Sequence, residues 1–200
     1  MSHITDPQTA AATDIGSKGG AQLRSSVDVL LERNRKFAND GAHEGAPVIP
    51  TLGLVVVTCL DPRTDPAHFM GLRLSDAFVV RNVGGRVTQD VINDLAFISQ
   101  IAELVIPEGP LFEVALVHHT QCGAGAFADA TFRRAYADRI GVADESLRDH
   151  AIVDPEISVR VDLERLRGAE SLSKRVTLSA YVYDVVSGKV TAVVANEVRK

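Results

Sequence analysis

Two cysteines and a pair of adjacent histidines are the residues of this sequence best suited to chemistry. Cys59 directly follows the apolar run 54–58, and Cys122 comes three residues after His119, the second histidine of the pair His118–His119. Two thiolates and one imidazole suit zinc, and a site with three protein ligands keeps one position for water. These residues therefore predict a catalytic zinc site. The alternatives are a disulfide between the two cysteines, or two cysteines that are merely buried apolar side chains.

The choice between the two histidines stays open at this point. Adjacent side chains on a strand point to opposite faces, so only one of His118 and His119 can face a metal ion, and a buried, hydrogen-bonded histidine is the alternative for either. Among the other histidines, only His68 lies near enough to Cys59 in the sequence to be an alternative ligand. The remaining ones have no such context: His3, His43 and His150.

A carboxylate and a guanidinium group follow Cys59 within four residues. Asp61 and Arg63 are two positions apart, which places both side chains on one side of an extended segment. Because arginine is always charged, Arg63 can hold Asp61 ionised through a bidentate ion pair. An aspartate fixed in this way can orient a metal-bound water, or bind the metal itself when the pair breaks. The alternative is an ordinary ion pair on the surface.

Three short apolar runs predict strands that are buried on both faces of a parallel sheet, over residues 54–58, 77–80 and 114–117. Between the second and third runs, residues 88–106 have helical spacing and begin at Thr88, a good helix cap. Strand, helix and strand at these lengths indicate a βαβ unit. Since sites of open α/β sheets form outside the carboxyl ends of strands, both cysteines and one histidine should meet at one edge.

The remaining elements predict an α/β protein with a mostly parallel central sheet flanked by helices and an antiparallel edge strand near the C-terminus. A flexible tail is expected over residues 1–24, and a single zinc-binding α/β catalytic domain over 25–200. A helix should start near Ser25 or Ser26. Further helices are expected over 123–139, 144–150 and 155–167, and a hairpin over 176–185 and 189–194. Cys122 would precede one of these helices, whose dipole favours a thiolate.

Composition excludes several classes of function. The 200 residues carry a formal net charge of -5, which argues against a nucleic-acid surface. No apolar run approaches the roughly 18 residues of a membrane span, and no basic segment precedes an apolar one at the N-terminus. We therefore expect a cytoplasmic protein with no membrane or nucleic-acid partner. A metal-free, nucleotide-binding fold is disfavoured because no phosphate-binding glycine pattern follows the first strand.

Two motifs together resemble the paired signature of the β-class carbonic anhydrases. They are Cys-x-Asp-x-Arg at 59–63 and His-Thr-Gln-Cys-Gly at 119–123, with 76–83 similar to the second strand of that family. The similarity extends from about residue 26 to 194 and is strongest over 54–126. The resemblance implies one zinc ion per chain on Cys59, His119 and Cys122, which selects His119 over His118.

The resemblance also implies an activity, reversible hydration of carbon dioxide to bicarbonate. Zinc-bound hydroxide would attack the carbon, and Asp61, paired with Arg63, would orient it or occupy the fourth zinc position in a closed state. Phe78 and Val83 match residues that line an apolar pocket for the gas, and the backbone N–H of Gly123 matches an anion contact. Members of the family form homodimers or dimers of dimers, and residues 26–39 fit the helix that embraces the partner.

The sequence also departs from the pattern of the family. Pro62 stands where a small residue is common, and it stiffens the loop between Asp61 and Arg63. Gly84-Gly85-Arg86 resembles the short bacterial and fungal branch, which includes hydrolases of carbonyl sulfide and carbon disulfide. These linear substrates are alternatives to carbon dioxide at the same zinc site. A non-catalytic, zinc-stabilised module is a further alternative, but structural zinc sites are closed by four protein ligands.

Overall fold

The computed structural model describes residues 25–199, so the tail predicted over 1–24 lies outside the described residues. The described residues divide into two compact units, 25–44 and 45–199. In the first unit, helix α1 (Ser26–Asn39) begins after Ser25, whose hydroxyl accepts the N–H of Val27, and none of its residues is buried. The prediction of one catalytic domain over 25–200 stays a prediction.

The second unit is built on a five-stranded sheet. Its strands are β1 (Leu54–Cys59), β2 (Ala77–Asn82), β3 (Glu113–His119), β4 (Thr177–Asp184) and β5 (Lys189–Val198). They lie in the order β2-β1-β3-β4-β5, the first four mutually parallel and β5 antiparallel to β4. The predicted α/β class, with a mostly parallel sheet and an antiparallel edge strand near the C-terminus, is confirmed.

Four helices accompany the sheet: α2 (Pro66–Phe69), α3 (Gln89–Val105), α4 (Ala130–Ile140) and α5 (Pro155–Gly168). Thr88 caps α3 through its hydroxyl, as its sequence position predicted. Short 3₁₀ helices cover Pro62–Thr64, Val83–Gly85, Gly123–Ala128 and Asp144–His150. None of the helices in residues 25–199 is both long enough and apolar enough to cross a membrane.

The prediction of one continuous helix over 123–139 is wrong. A 3₁₀ helix ends at Ala128, and α4 begins only after Asp129, whose backbone is extended. The Asp129 carboxylate accepts the N–H groups of Thr131 and Phe132, each at 2.8 Å. Since a capping aspartate starts a helix rather than continuing one, the segment after Cys122 is split in two.

Alternating side chains of the central strands form two apolar clusters, one on each face of the sheet. Val55 and Val57 of β1 belong to the larger cluster, which includes Leu95 of α3 and Leu163 of α5. Val56, between them, belongs to the smaller cluster on the other face. Both faces of β1 and β3 are thus covered. The two strands pair in parallel, so their carboxyl ends lie side by side.

Candidate metal centre

The carboxyl ends of β1 and β3 bring three sulfur and nitrogen donors together. Cys59 is the last residue of β1, His119 is the last residue of β3, and Cys122 follows three residues later. One ligand atom from each of these side chains lies within 4.8 Å of the others. His119 and Cys59 are buried and Cys122 is half-buried. Within residues 25–199, no other His, Cys, Asp or Glu joins this group.

The ring of His119 is oriented for a cation. Its Nδ1 lies 2.9 Å from the carbonyl oxygen of Thr120, which can only accept a hydrogen bond, so Nδ1 carries the proton. Nε2 therefore keeps a lone pair, and it is buried with no hydrogen-bond partner in the part of the chain described. A buried, unpaired acceptor is costly unless a metal or donor uses it. Ligand histidines commonly donate their other N–H to a carbonyl in this way.

The two thiols are free and spaced for one ion. Their Sγ atoms are 3.9 Å apart, which is too far for the disulfide that the sequence left open. Two sulfurs, each about 2.3 Å from a tetrahedral zinc ion, would lie about 3.8 Å from each other. The spacing and the donor set of two sulfurs and one imidazole nitrogen therefore fit zinc.

The environment of Cys59 favours its thiolate form. Its pKa is lowered to about 4, chiefly because the Cys122 thiol donates to it; burial opposes this shift, and two backbone N–H groups reinforce it. Those N–H groups belong to Asp61, at 3.4 Å from the sulfur, and to Gly84. Sharing its proton with Cys59 raises the pKa of Cys122, and burial raises it further. The pair therefore holds one negative charge ready for a cation.

Asp61 and Arg63 form a bidentate ion pair beside the cysteines. Arg63 Nε lies 3.0 Å from Asp61 Oδ1 and Nη2 lies 2.8 Å from Oδ2, while the backbone N–H of Arg63 donates to Oδ1 at 2.9 Å. These contacts, the guanidinium first, lower the pKa of Asp61 to about 2. Arg63 also donates to the carbonyl of Gln121 at 3.0 Å, so it joins the two loops that carry the cysteines.

Two residues that the sequence interpretation missed hold the loop after β1. Arg81 of β2 donates to the carbonyl oxygens of Cys59 at 3.0 Å and Asp61 at 2.8 Å. The buried hydroxyl of Thr64 donates to Cys59 O at 2.8 Å. The available signal was an arginine inside an otherwise apolar strand, since such a charge needs partners.

The other candidate residues are spread around this centre. Phe78 sits opposite Val55 in the sheet and lines an apolar cavity of about 440 Å³ near the amino ends of the strands. Asn82, four residues after Phe78 in β2, is the residue paired with Cys59. The backbone of Phe78 therefore lies about 13 Å along the strand from the position of Cys59. Val83 lines a different cavity, of about 370 Å³.

Gly123 and the two alternative histidines lie outside the group of three donors. Gly123 begins the 3₁₀ helix that follows Cys122, and a side chain there would meet open space. His68 is exposed on α2 and is not part of the donor group. His118 points away from His119, to the opposite face of β3, where its ring meets Ser158.

Comparison with known proteins agrees with this arrangement. The sequence model of the carbonic anhydrase family matches residues 54–155. The chain is 33% identical over 171 residues to β-carbonic anhydrase 1 of Mycobacterium tuberculosis, covering 84% of this chain and 97% of that protein. The chain belongs to the β-carbonic anhydrase family. Its class is therefore that of a zinc-dependent lyase, and the Cys59–His119–Cys122 group can hold the ion.

Two further similar proteins are a solved structure and a relative named for another activity. The crystal structure of a carbonic anhydrase from Streptococcus mutans superposes with a TM-score of 0.73 at 31% identity, covering 86% of this chain and 99% of that one. A carbon disulfide hydrolase of Saccharolobus solfataricus is 26% identical over 192 residues, covering 84% of this chain and 85% of that protein. Membership in an enzyme family that uses zinc removes the metal-free and non-catalytic alternatives.

Proposed function

We propose that this protein catalyses the reversible hydration of carbon dioxide to bicarbonate, with zinc held by Cys59, His119 and Cys122. When bound there, zinc supplies a Lewis acid that makes water nucleophilic near neutral pH. The observation that carries the proposal is the Asp61–Arg63 ion pair beside these three donors, because a purely structural metal site has no use for it.

The role proposed for Asp61 follows from its hydrogen bonds. An ionised carboxylate only accepts hydrogen bonds, with two lone pairs on each oxygen. Oδ1 already receives both the backbone N–H and Nε of Arg63, whereas Oδ2 receives Nη2 alone. Oδ2 is therefore the oxygen with a lone pair left, and it accepts the hydrogen bond of the reacting water. Arg63 holds the carboxylate ionised and fixed in direction.

The variant Asp61→Asn tests this role. It keeps the shape of the side chain but replaces one acceptor oxygen by a donor, so kcat should fall by about 100-fold or more, with zinc content unchanged. Asp129→Asn is the matched control, since Asp129 caps α4 by accepting the N–H groups of Thr131 and Phe132. Full activity of Asp61→Asn in stopped-flow hydration assays would refute the proposed dyad.

Hydrolysis of carbon disulfide or carbonyl sulfide is the second candidate function. It is favoured by the similarity to the carbon disulfide hydrolase of Saccharolobus solfataricus, and both gases are linear molecules open to the same attack. The test is a parallel measurement of kcat/KM for carbon dioxide, carbonyl sulfide and carbon disulfide. A preference for either sulfur compound would replace our first assignment while leaving the zinc site and the dyad in place.

Three residues are proposed to contact the substrate. Val83 follows β2 directly and lines the cavity of about 370 Å³, so its side chain is proposed to border an apolar pocket for the gas. On the family pattern, Phe78 is also proposed to line a pocket for the gas, although within this chain it borders the separate cavity of about 440 Å³, and Gly123 is proposed as a backbone anion contact. Val83→Ser should raise KM for the gas more than it lowers kcat, and equal effects would argue against this assignment.

We further propose a homodimer, or a dimer of dimers, as the working assembly. The apolar residues of α1 are exposed, Val27, Leu30 and Leu31 among them, and a second copy can cover them. Leu30→Glu should shift the mass measured by light scattering towards the monomer, whereas Lys36→Gln, with the same change in charge, should not. We also propose a cytoplasmic location, where thiols stay reduced.

A further inference from the structure

A second buried imidazole lies on the opposite face of β3 from the metal centre. His118 is completely buried and its ring faces away from His119. Its Nδ1 lies 2.8 Å from the hydroxyl of Ser158, and its Nε2 lies 3.2 Å from both the carbonyl oxygen of Gly85 and the Asp162 carboxylate. Because both neighbours of Nε2 are acceptors, this nitrogen carries a proton and donates it between them.

Asp162 is the centre of this buried group. It is fully buried on α5, and its oxygens accept from Arg86 Nε at 2.7 Å and Nη2 at 3.1 Å. Arg165 donates to the same carboxylate at 2.6 Å. Burying such a charge cluster is costly, and apolar residues of similar volume often stabilise a fold as well or better. A role in holding a particular geometry explains the cluster better than stability does.

The buried group of His118, Arg86 and Asp162 holds a turn that packs against Cys59. The turn 83–86 contains Gly84, which is buried next to Cys59, and Gly85, whose carbonyl lies 3.2 Å from His118 Nε2 and accepts its hydrogen bond. A Cβ on Gly85 would lie 2.8 Å from the backbone nitrogen of Cys59, so the turn packs directly against the ligand residue. Arg86 ends the turn and connects it to Asp162.

We propose that Asp162 is a positioning residue for the metal centre: with His118 and Arg86, it holds the turn 83–86 against the backbone of Cys59 and so fixes the direction of that ligand. Residues that hold a metal ligand in place from behind commonly set its geometry and the affinity of the site. The inference rests on the zinc site and is independent of which gas the enzyme uses.

Zinc affinity measured by chelator competition tests the proposal in Asp162→Asn, which keeps the shape of the side chain and removes its charge. We expect a loss of affinity of about 10- to 100-fold, together with a shift of the thiolate-to-cobalt absorption band in the cobalt-substituted protein. Leu166→Ala is the control, because Leu166 is buried on the same helix and packs only in the larger apolar cluster. It should lower the urea midpoint while leaving affinity and the cobalt band unchanged.

The outcomes separate a positioning role from a general loss of stability. Equal losses of affinity in Asp162→Asn and Leu166→Ala, or no loss in either, would overturn the proposal. If Asp162→Asn does not fold, Ser158→Ala removes the partner of His118 Nδ1, together with a longer hydrogen bond of 3.3 Å to Pro155 O, and should still weaken zinc binding several-fold. Its matched control is Ser99→Ala, a buried hydroxyl with no hydrogen-bond partner in the residues described. Unchanged affinity in Ser158→Ala would then decide against the role.

Discussion

Replacing Gly85 by alanine is the sharpest test of how closely the turn 83–86 packs on the metal-bearing strand. Gly85 has φ +66°, a left-handed conformation that costs other residues about 1–2 kcal/mol. The added Cβ would also lie 2.7 Å from Thr58 C, 2.8 Å from Cys59 N and 3.0 Å from Thr58 Cα. Backbone atoms cannot rotate away, so overpacking adds about 1–3 kcal/mol. Together, Gly85→Ala should lower the free energy of unfolding by about 2–5 kcal/mol.

The assay is urea unfolding of the zinc-loaded protein, with Gly141→Ala as the matched control. Gly141 has φ +72°, and a Cβ there would meet nothing within 4 Å, so only the conformational cost of about 1–2 kcal/mol applies. Zinc content after dialysis is the second measurement and should fall in Gly85→Ala alone. If the two variants unfold within about 0.5 kcal/mol of each other, the close packing on Cys59 is refuted.

Three other outcomes follow from the structure. Gln121 has φ +54°, so Gln121→Val should lower the free energy of unfolding by about 1–2 kcal/mol in urea titrations, whereas Gln121→Asn should leave it nearly unchanged. The pKa of Asp61 is lowered from 3.8 to about 2, so the stability from its ion pair is complete above pH 3.8 and is lost only as pH falls towards 2. The difference in urea midpoint between the wild type and Asp61→Asn should thus be the same at pH 5 and at pH 8. A difference that changes between these two pH values would contradict the lowered pKa of Asp61. Free zinc at about 100 times its Kd should stabilise the fold by about 2.7 kcal/mol, so removing it with a chelator should lower the free energy of unfolding by that amount and lower the Tm. An unchanged Tm would contradict coupling of the ion to folding.

Much of the framework was predictable from local patterns in the chain. The three apolar runs became β1, β2 and β3, and Thr88 caps α3 as predicted, because strand formation and helix capping depend on residues close in sequence. The predicted burial on both faces is wrong for β2, which is an edge strand with Phe78 and Val79 exposed. The same patterns predicted that Cys59 lies at the carboxyl edge of the sheet. The helix predicted after Cys122 was wrong because capping by Asp129 overrides helical propensity.

The sequence by itself determined the donor types, since Cys59 and Cys122 are the only cysteines and each follows a predicted strand. Residue spacing alone did not decide which histidine faces them, because the pleat assigns opposite faces to His118 and His119 but does not say which face holds the metal. The family resemblance selected His119, and the tertiary structure places its ring beside the two sulfurs. The hydrogen-bond network of His118, Arg86 and Asp162 could not be predicted from the sequence either. Arg86 and Asp162 are 76 positions apart, and no local pattern indicates a contact that arises only when α5 packs against the sheet.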